Sequence, residues 1–465
     1  MRLENILTTL SFLIMSFSAV LYGITAEKPI VIIIPSFNNS DWYKRNLDSV
    51  FMQRYENYRV IYIDDCSSDN TANLVEAYVY EHAMADRFTV IKNKNRVGAL
   101  MNLYRAIHSC KDHEIIVTLD GDDWFKHELV LARINALYQD DNVWMTYGQY
   151  EQFPSGRVGL CRPYPLHIQE GGHYREYDWI ASHLRTFYAG LFKRIKLRDL
   201  MYEKTLFPVT WDLAMMFPML EMAAGRYKCL HDVLYIYNYQ TPHNDAKLRL
   251  YEQMHCEYLI RAKQKYKKID SLQSPSYRVQ KKVDVLVFET GATKINDTFF
   301  DFLDGIGVVH VIPAKDHCYM TQLLVRELDQ VESEYVFLTS DSCRLIRKVD
   351  LAEVATMLAQ TKALMFSLIL SNQTFSYEGI EREIYPPSLV SLTNEICAWK
   401  IVSGEFMWKY PYNFDALVIK VEKLKKILKD MNAQQLKELS ASLNQMRFDI
   451  EDVALCFEKL AIEKI

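Results

Sequence analysis

The chain has 465 residues, 49% of them apolar and 24% charged, with a formal net charge of −5 at pH 7. This is the composition of a globular protein long enough to bury two cores, and the acidic balance excludes a scaffold that grips nucleic acid through a basic surface. The 9 cysteines are scattered from Cys66 to Cys456 without a Cys-x-x-Cys pair, which excludes a zinc pattern and a dense disulfide framework.

From Ile6 to Ala26 there is no charge, and Leu10 to Leu21 is strongly apolar. Residues 1–27 read as a membrane anchor, for which the length is right, or as a signal peptide, for which Ile24 is a poor cleavage-site residue. Membrane association and export both stay open, as does the side of the membrane. Residues 30–34 (Ile-Val-Ile-Ile-Ile) form a short β-branched run of the buried parallel-sheet kind, ended by Pro35. A helix is expected over 41–55, a strand over Tyr58–Ile63, a helix to about Met84, a strand over Phe88–Lys92, a helix over Gly98–Ser109 and a strand over Glu114–Leu119. This alternation predicts a doubly wound α/β sheet. Ligands in such sheets sit at the carboxyl ends of the strands, where this chain places its polar clusters.

Residues 143–240 are less regular and rich in aromatic side chains, and 246–280 read as a helical connector. Residues 281–465 read as a second α/β domain, a worn copy of the first. Val285–Phe288 parallels the first strand, Val308–Ile312 the second, and Glu334–Asp341 the stretch Glu114–Asp122. Phe414–Val418 parallels Phe187–Leu191, and Asp449–Leu455 parallels Val209–Met215. The copy lacks the Asp-rich turn and the paired aspartates, so it is expected to serve structure or acceptor handling.

The strongest chemical signal is Asp120-Gly121-Asp122-Asp123, directly after a strand. Three carboxylates so close repel one another, and a divalent cation removes that cost; hard oxygen donors suit Mg²⁺ or Mn²⁺. Such an ion stabilises a diphosphate as a leaving group. The turn Asp64–Thr71 follows another strand, where Ser68 and Asp69 suit a helix cap, while Asp65 is placed to accept a hydrogen bond from a nucleobase imide. Pro35, Phe37 and Asn38 offer an edge beside it, and Asn95, Arg96 and Gly98 end the third strand region, Arg96 offsetting phosphate charge.

In these stretches, taken together and in order, Pro29 to about Tyr239 resembles the family 2 glycosyltransferases of GT-A fold. The resemblance rests on Ile33–Asn38, Asp64–Thr71, Asn95–Asn102 and Leu119–Asp123, and implies a GT-A domain over 28–245. It implies a nucleotide-sugar site of Pro35, Phe37, Asn38, Asp64, Asp65, Asn95, Arg96, Gly98, Asp120, Asp122 and Asp123, with Asp122 holding the metal. It also implies an inverting transfer from a nucleotide diphosphate sugar, UDP-linked foremost, to a hydroxyl of a glycan, lipid or protein. The base matching the family pattern is Asp212, in Thr210-Trp211-Asp212-Leu213-Ala214, although Trp211 stands where many members carry an acid. His243 is placed to complete the metal shell, and Arg185, Trp124 and Trp211 to face the acceptor. Two rivals stay open. A nucleotidyltransferase is disfavoured because no Gly-rich loop follows the first strand, and a non-catalytic scaffold is disfavoured by the intact Asp65, Asp120, Asp122 and Asp212.

Overall fold

The computed structural model describes residues 26–159, 161–202, 205–241, 248–272, 282–291, 300–314, 319–371, 389–392, 395–401, 416–429 and short stretches beyond, among them 453–457 and 461–464. The apolar N-terminal segment, His243 and residues 449–452 lie outside the described residues. Among the described residues no helix is long and apolar enough to cross a membrane.

The first sheet is built on β1 (Ile30–Ser36), every residue of which is buried. On one side β1 pairs in parallel with β2 (Tyr58–Asp64), which pairs with β3 (Phe88–Lys92). On the other side it pairs in parallel with β4 (Ile115–Thr118). The chain thus leaves β1 in one direction and returns on its other flank, the switch point at which α/β sheets hold ligands. Beyond β4 the sheet turns antiparallel through β7 (Thr186–Tyr188) to β6 (Met145–Phe153). It ends with β10 (Tyr227–Asn238) and β5 (Trp124–Phe125), the hairpin strands β8 (Met201–Tyr202) and β9 (Thr205–Leu206) standing apart. Helices α1 (Tyr43–Phe51), α2 (Thr71–Glu81), α3 (Ala99–Ser109) and α4 (Val130–Tyr138) make the connections. The expected helix over 41–55 is shorter at both ends, because Arg54 to Asn57 turn the chain toward β2.

Helix α5 (Trp211–Ala223) is apolar on nearly all sides and buried from Leu213 onward, as expected of a helix enclosed by its own domain. Its one buried carboxylate, Glu221, takes a two-pronged hydrogen bond from Arg175 at 2.6 and 3.0 Å, with side chains 1% and 3% exposed. Arg175 also donates to the Ile260 carbonyl of α6 (Leu250–Ala262) at 2.6 Å. This part of the expected connector lies against α5 and the segment that carries Arg175. Glu221→Gln leaves the Arg175 charge buried without a counter-charge, which costs about 3–5 kcal/mol. Chemical denaturation of the purified variant checks this, and a loss below about 1 kcal/mol contradicts it.

The second sheet follows the first in strand order and direction from 306–313 through 453–457, while its strand 396–400 comes after 365–371 in the chain, where β5 comes directly after β4. In the first, β2, β1, β4, β7, β6, β10 and β5 lie side by side. In the second, 306–313, 283–289, 335–340, 416–420, 365–371, 453–457 and 396–400 do so. The pairings run parallel, parallel, antiparallel, antiparallel, parallel, antiparallel in both. Two parallels drawn from sequence need correcting. Val453–Phe457 is a strand beside 365–371, in the place of β10 and not of the α5 start. Lys420 faces Tyr335 as Tyr188 faces Ile115, so Ile419, not Phe414, occupies the place of Phe187.

Candidate active site

Three backbone hydrogen bonds at the end of β1 assemble the site. Leu119 N donates to Ile33 O at 3.1 Å, Gly121 N to Pro35 O at 3.1 Å, and Asp65 N to Ser36 O at 2.8 Å. They fix the Asp120–Asp123 turn on one flank of β1 and Asp65 on the other. Asn46 of α1 clamps the turn from below, donating Nδ2 to the carbonyls of Asp120 at 3.0 Å and Asp123 at 2.7 Å. Gly121 is required by close approach: a Cβ there lies 2.6 Å from Ser36 Oγ and 2.8 Å from Asn39 Nδ2. Ser36 cannot yield easily, because its hydroxyl also accepts from Tyr62 OH at 2.8 Å. Gly121→Ala is expected to push the turn off β1 and lower turnover at least about tenfold, since misplacement by about 1 Å costs up to 10²-fold. Steady-state kinetics on a folded sample checks it, and unchanged turnover contradicts it.

Above this turn opens a cleft of about 900 Å³. Pro35, Phe37, Asp65, Arg96, Gly98, Asp120, Asp122, Asp123, Arg185, Trp211 and Asp212 all line it, bringing both ends of the first domain's sequence to one place. Burial and the neighbouring Asp122 charge push the Asp120 carboxyl up to about 7, against the opposing pull of Arg185. Arg185 is the cation that offsets this cluster. Its Nη2 donates to Asp212 Oδ2 at 2.8 Å, with side chains 4% and 19% exposed. The same nitrogen lies 3.2 Å from His183 Nε2. Burial, reinforced by Arg185, holds His183 well below its ordinary range, so the ring is neutral and Nε2 can accept. Asp212 stands in the first turn of α5, where the helix N-terminus favours a carboxylate. Thr210 before it is in the left-handed region, φ 53°, an uncommon conformation for a β-branched residue that sets the entry angle of the helix.

Several expected site residues have other employment. Asp65 accepts from Val97 N at 2.9 Å, Asn93 Nδ2 at 2.8 Å and Gly98 N at 2.8 Å, so it orders the 93–98 loop and keeps one acceptor position over. Gly98, at φ 87°, lets that loop enter α3. Asp123 is 1% exposed and accepts from Tyr235 OH and Asn238 N, both at 2.6 Å. It ties β10 to the turn. Asn38, Asp64, Asn95 and Trp124 do not line the cleft. Asn38 Oδ1 accepts from Ser68 N at 2.9 Å, and Asp64 Oδ2 from Ser67 N at 3.0 Å, which makes both of them turn residues. Trp124 lies under the Arg45 guanidinium, 4.1 Å from its ring centre, beside Trp42 and Phe153. Arg185 is committed to Asp212 and His183, so it positions a carboxylate where acceptor contact was expected. Arg96 lies 3.7 Å over the Phe37 ring, an exposed cation at the cleft rim.

The family model described as "Glycosyl transferase family 2" matches residues 31–197. Residues 31–197 are therefore similar to glycosyl transferase family 2. The poly(ribitol-phosphate) beta-N-acetylglucosaminyltransferase TarP of Staphylococcus aureus is 31% identical over 166 residues, 35% of this chain and 46% of that protein. The glycosyltransferase GlyG of Streptococcus pneumoniae is 27% identical over 110 residues, 24% of this chain and 34% of that protein. The chain thus spans less than half the length of these curated relatives. Among solved structures, S. aureus TarS 1-349 in complex with UDP-GlcNAc superposes loosely, with TM-score 0.37 and 15% identity over 50% of this chain and 70% of that one.

The cleft also holds residues that sequence reasoning missed: His183, Asn102, Tyr237 and Gln253 line it. Asn102 has a readable signal, since it lies three residues into α3 and its Oδ1 accepts from Asn93 at 2.8 Å. His183 and Gln253 have none, because they reach the cleft from irregular or distant chain. In the second sheet, Asp341 N donates to Phe288 O at 3.1 Å, as Gly121 N does to Pro35 O. Ser340 and Ser342 then stand in the places of Asp120 and Asp122, their hydroxyls 2.7 Å apart. Asp341 itself accepts from the backbone of Thr290 and Gly291 at 3.0 and 2.8 Å. No carboxylate pair stands at that strand end.

Proposed function

We propose that the first domain transfers a sugar from a nucleoside diphosphate sugar, UDP-linked foremost, to an acceptor hydroxyl, with inversion and with a divalent cation. The observation that carries this reading is the meeting, in one cleft, of the crowded pair Asp120 and Asp122 with the Arg185-held carboxylate Asp212. The residues fit a cation such as Mn²⁺ or Mg²⁺. Asp120 and Asp122 offer hard oxygens, and a cation relieves both the cost of the burial that raises the Asp120 carboxyl and, after it, the repulsion from Asp122. Among the described residues no three His, Cys, Asp or Glu side chains are grouped to hold a metal, so ligand oxygens or His243 complete the shell. A cation held there supplies charge neutralisation for the departing diphosphate.

The chain's own residues do the rest. Arg96 and Phe37 frame the rim at which the nucleotide enters. Asp212 takes the proton of the acceptor hydroxyl; the new bond forms from that oxygen to the anomeric carbon. The bond from that carbon to the phosphate oxygen breaks, and its electron pair leaves with the nucleoside diphosphate. Arg185 holds Asp212 Oδ2 still, leaving Oδ1 as the proton acceptor. The test is binding of UDP and other nucleoside diphosphates with and without Mn²⁺. Metal-dependent binding lost in Asp122→Ala supports the reading, and a folded protein that binds no nucleoside diphosphate supports a non-catalytic scaffold instead.

A further inference from the structure

Helix α6 presents to solvent a face that water does not favour. Tyr251 is 88% exposed, Met254 61% and Tyr258 70%, at the spacing that puts them on one ridge, and Leu248 and Leu250 extend it at 66% and 55%. The opposite face is anchored by buried Cys256 and Ile260. The charges of the helix do not break the ridge. Arg249 pairs with Glu252 at 2.6 Å and Arg261 with Glu257 at 2.6 Å, along its flanks. A water-facing helix side is ordinarily charged or polar, and an apolar stripe rimmed by polar groups marks an interaction site.

Charge says what covers it. Residues 248–268 carry six Lys or Arg against two Glu, in a chain whose net charge is −5. Lys267 and Lys268, just past the helix, are exposed and make no ion pair among the described residues. An apolar ridge with amphipathic tyrosines, followed by free lysines, matches the boundary of an anionic bilayer, where rings enter the headgroup layer and lysines meet acidic lipid. The apolar stretch Leu10–Leu21 of the same chain is of the composition that enters a bilayer.

We propose that α6 docks this protein on an anionic lipid surface through Tyr251, Met254 and Tyr258. The same helix lines the cleft with Leu250, Gln253 and Met254, so docking brings the cleft rim to the headgroup layer and favours acceptors anchored in lipid. The choice of acceptor rests on the transferase reading; the docking does not.

The test uses the full chain and vesicles of phosphatidylcholine with and without phosphatidylglycerol. Wild type is expected to float with the phosphatidylglycerol vesicles and to be released by salt. Tyr251→Ser with Tyr258→Ser, and separately Lys267→Glu with Lys268→Glu, should each weaken partition about tenfold. None of these four residues lines the cleft, so metal-dependent nucleotide binding stays at the wild-type level, and a wild type that lacks such binding counts against the transferase reading alone. Wild type that ignores anionic vesicles overturns the docking proposal. So do folded variants that bind as wild type does, which would give the membrane contact to the N-terminal segment. A tyrosine variant that instead changes the mass of the vesicle-free protein overturns it in favour of contact between copies.

Discussion

Asp212→Asn is expected to lower transfer about 10²–10⁴-fold, the range of a removed general base, while nucleotide affinity stays within a few-fold of wild type. The asymmetry follows from position. Asp212 reaches the cleft from the first turn of α5, whereas the groups framing the nucleotide end, Phe37, Asp65 and Arg96, come from loops after β1, β2 and β3. The substitution has a second effect that has to be separated from the first. Asp212 is the counter-charge of Arg185, whose side chain is 4% exposed, and an uncompensated buried guanidinium costs several kcal/mol. An Asn carbonyl still accepts from Arg185 Nη2, which keeps the geometry and part of the interaction. A cooperative melt at a modestly lower temperature, with nucleotide binding intact and transfer gone, is therefore the expected combination. Lost nucleotide binding in a folded variant moves Asp212 out of the base role and into donor binding. Near-normal transfer places the base elsewhere in the cleft.

The sequence was most readable where local chemistry and fold agree. The β-branched run 30–34 and the strand before Asp120 are buried on both faces, and the polar residues that end them must lie at a strand end and reach one crevice. It was least readable where a residue's partner is far along the chain. Asp123 looks like a third ligand beside Asp122, yet its partners Tyr235 and Asn238 lie 112 and 115 residues away. Trp124 looks like a sugar platform until Arg45 and Trp42 of the first helix region close over it. Asp65 has the family's place for nucleobase contact, but the loop that folds back onto it takes three of its acceptor positions. The Asp449–Leu455 parallel failed for a related reason. A short apolar run reads equally as a helix start or a strand, and only its place beside 365–371 decides for the strand.

Metal-dependent nucleotide binding is expected to weaken about tenfold for each pH unit below about 7 and to level off above it. Burial and the Asp122 charge hold the Asp120 carboxyl at about 7 in the protein without a cation. A cation binds the ionised carboxylate, so below that value each binding event must release one proton. The same shift sets the sign of the stability change. Because Asp120 binds its proton more tightly folded than unfolded, metal-free stability falls as pH rises from about 4 through about 7. A divalent cation restores it, and restores more at about pH 8 than at about pH 5, where the proton already neutralises the pair. Thermal melts at both values with and without Mn²⁺, together with nucleotide titrations, read the two consequences separately. Asp122→Asn removes the second cause of the raised Asp120 carboxyl and leaves burial, the first, so it should abolish the Mn²⁺ response and lessen the metal-free dependence on pH without removing it. If nucleotide affinity in Mn²⁺ is already flat in wild type between about pH 5 and pH 8, Asp120 is not the titrating partner of the cation, and the crowding of this pair has a structural cause.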